Sequence, residues 1–211
     1  MDMTLPAFNL AGAAPQWIVA GTGLLIMLVD ALLRPPRARW SAWLALLGLA
    51  GSGAWMAASG GGVAPVLGGA LAADGLGAAF SGVTLTAAAL AVLVAADFLQ
   101  REGLEQPEYY VLILFATAGA LIMAAASDLV AVFIGLEVLS ISLYVLAAFA
   151  KSDPASREAG LKYLLLGAFA SAFLLYGVAM LYGATGTTQL VRMGLALRLA
   201  PTLANPLLWV G

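Results

Sequence analysis

The sequence predicts an all-α, polytopic membrane protein with six transmembrane helices and the start of a seventh, and three observations carry that prediction. First, nine Lys or Arg and eleven Asp or Glu are spread over 211 residues, while 63% of the chain is hydrophobic. Soluble domains are about a quarter charged, and so few charges cannot coat a water-facing surface of this size. Second, six apolar stretches each approach the roughly 20 residues that cross a hydrocarbon core of about 30 Å. Third, Leu, Ala, Gly, Val and Met dominate those stretches, whereas barrel strands show weak alternation over about ten residues. Backbone groups in lipid must be satisfied within helices or closed barrels, and the composition decides for helices.

The first span is Gln16–Leu33. No basic residue precedes Arg34, so the positive region of a signal peptide is missing and the span is expected to be retained. Asp30 stands one turn from Arg34, where an i,i+4 pair accounts for it. The second span is Ser41–Ser59. Gly60–Asp74 follows it, rich in Gly but without a Gly-Lys-Ser/Thr sequence, and reads as a flexible connector rather than a phosphate cradle. The third span, Leu76–Phe98, ends before Arg101; the fourth is Tyr109–Ala126, and Ser127-Asp128 separates it from the fifth, Leu129–Phe149. The sixth span, Leu161–Tyr182, contains Gly167, Ala168, Ser171 and Ala172, small residues whose spacing lets helices approach closely and which read as packing. Leu190–Ala200 fits a short amphipathic helix on the membrane surface. Asn205-Pro206 opens a new apolar run, 205–211, expected to be the start of a truncated seventh helix in a fragment of a longer protein. The whole of 1–211 reads as a single membrane domain.

Charge sets the orientation. Arg34, Arg37, Arg39, Arg101, Lys151 and Arg157 fall on one side, against Arg192 and Arg198 on the other. The positive-inside rule puts the first group in the cytoplasm and the N-terminus outside. Trp17, Trp40, Trp43, Tyr109, Tyr110 and Tyr182 lie near span ends, as an interfacial aromatic belt does. The chain has no Cys and no His, which excludes thiolate or imidazole metal sites, iron–sulfur ligation, disulfides and a Ser-His-Asp relay. No cofactor and no nucleic acid is expected on this chain, and linked redox chemistry belongs to another one.

Most charges sit in connections; Glu137 and Lys162 do not. Glu137 is eight residues beyond Leu129, about 12 Å into its span at 1.5 Å per residue. An acid at that depth costs about 2.5–3.5 kcal/mol and marks a functional site by default. Desolvation favours a neutral carboxyl and a nearby ammonium favours an ionised one, and a group held between the two can load and release a proton. Ser140 and Tyr144, at i+3 and i+7, share its face and offer hydroxyls to a water chain. The alternative is a structural carboxyl bonded to a neighbouring helix. Lys162 divides evenly between a buried, tuned ammonium and a snorkelling side chain paired with Glu158 four residues earlier.

These residues lie in motifs that resemble a known family. Ser127-Asp128-Leu129 through Phe133-Ile134-Gly135-Leu136-Glu137-Val138-Leu139-Ser140 to Tyr144 resembles the fifth helix of the antiporter-like subunits of respiratory complex I. Glu158 through Lys162-Tyr163 and Gly167-Ala168-Phe169-Ala170-Ser171-Ala172-Phe173 is similar to the sixth helix of the subunit N family rather than its L and M paralogues. The resemblance implies a proton-translocating membrane-arm subunit of a bacterial NADH-quinone oxidoreductase, in the bacterial cell membrane. NADH, FMN, iron–sulfur clusters and quinone are then bound at the level of the complex, and the partners are other membrane-arm subunits. It implies about fourteen helices in two inverted repeats, of which this chain holds part of the first. Carried over, the fifth-helix glutamate is Glu137 and the sixth-helix lysine is Lys162. The family's seventh-helix lysine has no counterpart before Gly211. A cation/proton antiporter or membrane-bound hydrogenase subunit, and a non-transporting scaffold whose buried charges pair across helices, are the alternatives.

Overall fold

A computed structural model describes residues 9–33, 39–59, 64–199 and 206–211. Six helices are long and apolar enough to cross a membrane: α1 (Ala14–Leu33), α2 (Arg39–Ala58), α3 (Gly75–Glu102), α4 (Pro107–Ala125), α5 (Leu129–Ala147) and α6 (Pro154–Thr185). Two shorter helices follow, α7 (Leu190–Leu199) at the expected surface helix and α8 (Pro206–Val210) at the expected start of a new span. The protein is a multi-pass membrane protein. Arg34 and Arg37, and with them the Asp30–Arg34 pair, lie outside the described residues.

Two helices run past their predicted spans because local start and stop signals extend them beyond the apolar stretch. Asp153 caps α6, accepting from the Ala155 amide at 3.0 Å, and Pro154 occupies the first turn, where its missing N–H costs nothing. Asp74 caps α3 through the Gly77 amide at 2.6 Å, and Gly103 closes it at φ 67°.

The Gly-rich connector departs from expectation. Its residues 60–63 are outside the described set, but Ala64–Val66 and Leu71–Ala73 pair as a small antiparallel hairpin, β1 and β2. Val66 and Leu71 are the reason: both are buried, clustered with Ala13 and Ala131 rather than left in water. Apolar burial of this kind outweighs the flexibility that glycine lends to the unfolded segment.

The core centres on α4. Tyr110, Leu114 and Leu121 are fully buried, and α1, α3 and α5 surround them. The tightest crossing is between α4 and α5. A Cβ at Gly119 would stand 2.5 Å from the Leu139 amide nitrogen and 2.6 Å from the Gly135 carbonyl oxygen. Lipid supplies little hydrophobic drive between helices, so close backbone packing through small residues is what fixes α5 against the core. By contrast α6 touches the bundle along one edge. Only 6% of its spanning window is buried, and Leu166, Phe169 and Phe173 face outward.

At the end opposite Arg39, Arg101 and Lys151, three connections are laced together. The Ser127 amide and hydroxyl donate to the Ala70 and Gly69 carbonyls, each at 2.9 Å. The Leu129 amide donates to the Thr188 carbonyl at 2.9 Å, and the Leu190 amide to the Ser127 carbonyl at 3.0 Å. Asp128 completes the lacing: it caps α5 through the Val130 amide at 2.8 Å and accepts the Thr188 hydroxyl at 2.6 Å.

Candidate functional site: the seam between α5 and α6

Antiparallel α5 and α6 meet along a seam set by small residues. The Ser156 hydroxyl donates to the Ala147 carbonyl at 2.9 Å, fixing the connection between them. One turn further, a Cβ at Gly160 would clash with Ala148, so glycine is what lets the helices close there. Deeper still, the space above Gly167 is filled by the Tyr144 hydroxyl, which a methyl group would overlap. Tyr144 is buried, and its ring packs edge-to-face on Tyr163 with centroids 4.7 Å apart.

Glu137 lies two turns beyond Tyr144, half-buried on the same seam. The Ser171 hydroxyl donates to its Oε1. A carboxylate offers about four acceptor positions, so this contact leaves most of its capacity to water or a partner. The site is therefore a mid-span carboxyl held by a hydroxyl, with no cation against it among the described residues.

Lys162 is elsewhere. It forms an i,i+4 ion pair with Glu158, and both side chains are about two-thirds exposed (69% and 64%). It precedes Ser171 by nine residues, about 13 Å along the helix axis. The scaffold arrangement, Glu137 paired with Lys162 across the seam, is not what forms. Ser140 is half-buried and its hydroxyl has no hydrogen-bond partner among the described residues. The nearby Ser142 hydroxyl turns back to the Val138 carbonyl at 2.8 Å, a local bond that occupies it within its own helix.

Ser171 is the residue that the sequence reading counted only as packing. Its pairing follows from the register of the hairpin: Ala148 and Gly160 meet beside the connection, and Glu137 lies eleven residues before the one while Ser171 lies eleven after the other. In an antiparallel hairpin equal counts from the shared connection place two residues at equal depth.

Residues 126–209 match the family described as NADH:quinone oxidoreductase/Mrp antiporter, transmembrane. The chain is 38% identical over 203 residues to NADH-quinone oxidoreductase subunit N of Trichlorobacter lovleyi, covering 96% of this chain and 42% of that protein. It is 40% identical over 199 residues to subunit N of Desulfovibrio desulfuricans, covering 93% and 38%. It thus spans about two-fifths of the length of these curated relatives. Among solved structures it is similar to a chain of respiratory complex I from Thermus thermophilus, with a TM-score of 0.70 and 32% identity over 93% of this chain and 42% of that one. An archaeal membrane-bound sulfane sulfur reductase shares the fold at a TM-score of 0.72 and 22% identity, covering 94% and 42%.

Proposed function

We propose, from the membership of residues 126–209 in the NADH:quinone oxidoreductase/Mrp antiporter family and the chain-long likeness to subunit N, that this chain is part of a proton-translocating membrane-arm subunit of NADH-quinone oxidoreductase. The observation that carries the reading is the placement of Glu137: a carboxyl midway along its span, bridged to the facing helix by Ser171. Such a group can take a proton from one side and pass it on, with hydroxyls and water as the remaining links. NADH, FMN, iron–sulfur clusters and quinone belong to the complex, on other subunits. Arg39, Arg101, Lys151 and Arg157 support a cytoplasmic location for their end of the bundle, with the start of α1 outside, in a bacterial cell membrane.

In this reading Ser171 orients the Glu137 carboxyl. A hydrogen bond contributes about 0.5–1.5 kcal/mol, so Ser171→Ala in the full-length, assembled complex should slow NADH-driven proton uptake into vesicles by about two- to tenfold. Ser171→Thr, which keeps the hydroxyl, should restore most of it. Equal pumping by the alanine variant and wild type would remove Ser171 from the relay. Lys162 has its charge matched by Glu158 in an exposed pair, a contact worth about 0–1 kcal/mol. Lys162→Ala should therefore lower pumping by less than about fivefold, and fully normal pumping identifies Lys162 as a snorkelling residue.

A cation/proton antiporter is a second reading, favoured by the scope of the matched family, which includes Mrp antiporters. It requires proton movement driven by a cation gradient in the absence of NADH and quinone, and the same vesicles distinguish the two.

A further inference from the structure

A cleft of about 790 Å³ opens between α1, α4, α5 and α6 at the end that carries Lys151. Its walls are hydrocarbon, with Val111, Phe115, Ile141, Val145, Leu161 and Leu164 among them, and Tyr144 is the polar side chain that lines it within the spans. Phe115 is eight residues beyond Pro107, so the cleft reaches about 12 Å into the bundle. Cavities of this kind hold no ordered water, because water needs two to four polar partners. Its open side is formed by Ile141, Val145, Leu161 and Leu164, all exposed among the described residues. Polar groups return only at the mouth, where Glu108, Gln106 and Lys151 stand exposed. Neither Glu108 nor Lys151 forms an ion pair among the described residues.

An apolar slot below one unpaired anion and one unpaired cation complements a molecule with a hydrocarbon tail and a head that carries both charges. We propose that the cleft binds one acyl chain of a zwitterionic phospholipid, phosphatidylethanolamine, with its phosphate at Lys151 and its ammonium at Glu108. Phosphatidylglycerol would satisfy Lys151 but place its polar head beside the Glu108 carboxylate with no cation to offer. The bound tail lies against Tyr144 and closes the α5–α6 seam on its open side.

The test is native mass spectrometry of the full chain, released from nanodiscs of equimolar phosphatidylethanolamine, phosphatidylglycerol and phosphatidylcholine. One phosphatidylethanolamine should be retained in preference to phosphatidylglycerol. A Lys near a phosphate changes lipid binding by about fivefold, and Lys151→Glu, an exposed substitution outside the helices, should reduce retention by at least that factor. Glu108→Gln should abolish the preference over phosphatidylglycerol without abolishing binding. Val145→Trp fills the slot from an exposed position and should expel the lipid. Equal retention of phosphatidylglycerol by the wild type, or undiminished retention by Val145→Trp, overturns the proposal. So does protein–protein cross-linking from a photoreactive residue at Leu164 in place of lipid adducts, because a second chain would then occupy the cleft.

Discussion

Glu137→Gln, placed in the full-length and assembled oxidoreductase, is expected to cut NADH-driven proton translocation by about 10²-fold, the lower end of what a positioned acid–base group contributes to proton transfer. Glutamine has nearly the shape of glutamate, and its amide oxygen can still accept the Ser171 hydroxyl. The substitution therefore deletes the titratable proton and little else. It also removes a mid-membrane acid that costs about 2.5–3.5 kcal/mol, so the variant should be no less stable than the parent. That separates transport from folding: thermal unfolding holds or rises while pumping collapses. Glu137→Asp keeps the acid but shortens its reach to Ser171 by a methylene, and should fall between the two. Unaltered pumping by a fully assembled glutamine variant would leave Glu137 a structural carboxyl.

The second large effect belongs to the α4–α5 crossing. Gly119→Ala places a methyl group 2.5 Å from the Leu139 amide nitrogen and 2.6 Å from the Gly135 carbonyl oxygen. Both neighbours are backbone, so neither can swing aside as a side chain does. The two helices must separate, at a cost of about 1–3 kcal/mol, the usual range for overpacking. Gly119→Leu should prevent the crossing altogether and leave little folded protein in the membrane. Because Gly135 is two residues from Glu137, the alanine variant should also impair pumping beyond its loss of stability. Reversible unfolding of wild type and variant in mixed micelles measures the first effect directly. An unchanged midpoint would mean that the crossing is looser than the glycines indicate.

The spans were legible in the sequence because hydropathy and length are set by the bilayer itself; α5 begins at Leu129, where the apolar run begins. The ends that differ are those governed by water. Asp153-Pro154 starts α6 seven residues before Leu161, a signal that a search for bilayer-length apolar runs passes over. The β1–β2 hairpin was hidden by its glycines, although Val66 and Leu71 were available as buried anchors. At the site, counting residues gave depth, and depth was enough to single out Glu137. It did not give direction around the helix axis. Tyr144 and Ser140 share a face by count, yet Tyr144 enters the seam over Gly167 while the Ser140 hydroxyl has no partner among the described residues. Lys162 stood at even odds in the sequence; the pairing with Glu158 is the one that forms.

The lacing of Ser127, Asp128 and Thr188 has a mechanical consequence. It joins the start of α5 to the segment that follows α6, and both to the β-hairpin, through backbone and side-chain bonds at one membrane face. At the other face the same two helices are joined by a short connection held by the Ser156 hydroxyl and the close approach of Gly160 to Ala148. Between these two ends the Gly119–Gly135 crossing ties the middle of α5 to α4 as well. Held at both ends and at its middle, α5 keeps Glu137 at a fixed depth, so the register of the contact with Ser171 is set by the packing of the whole bundle rather than by either connection alone.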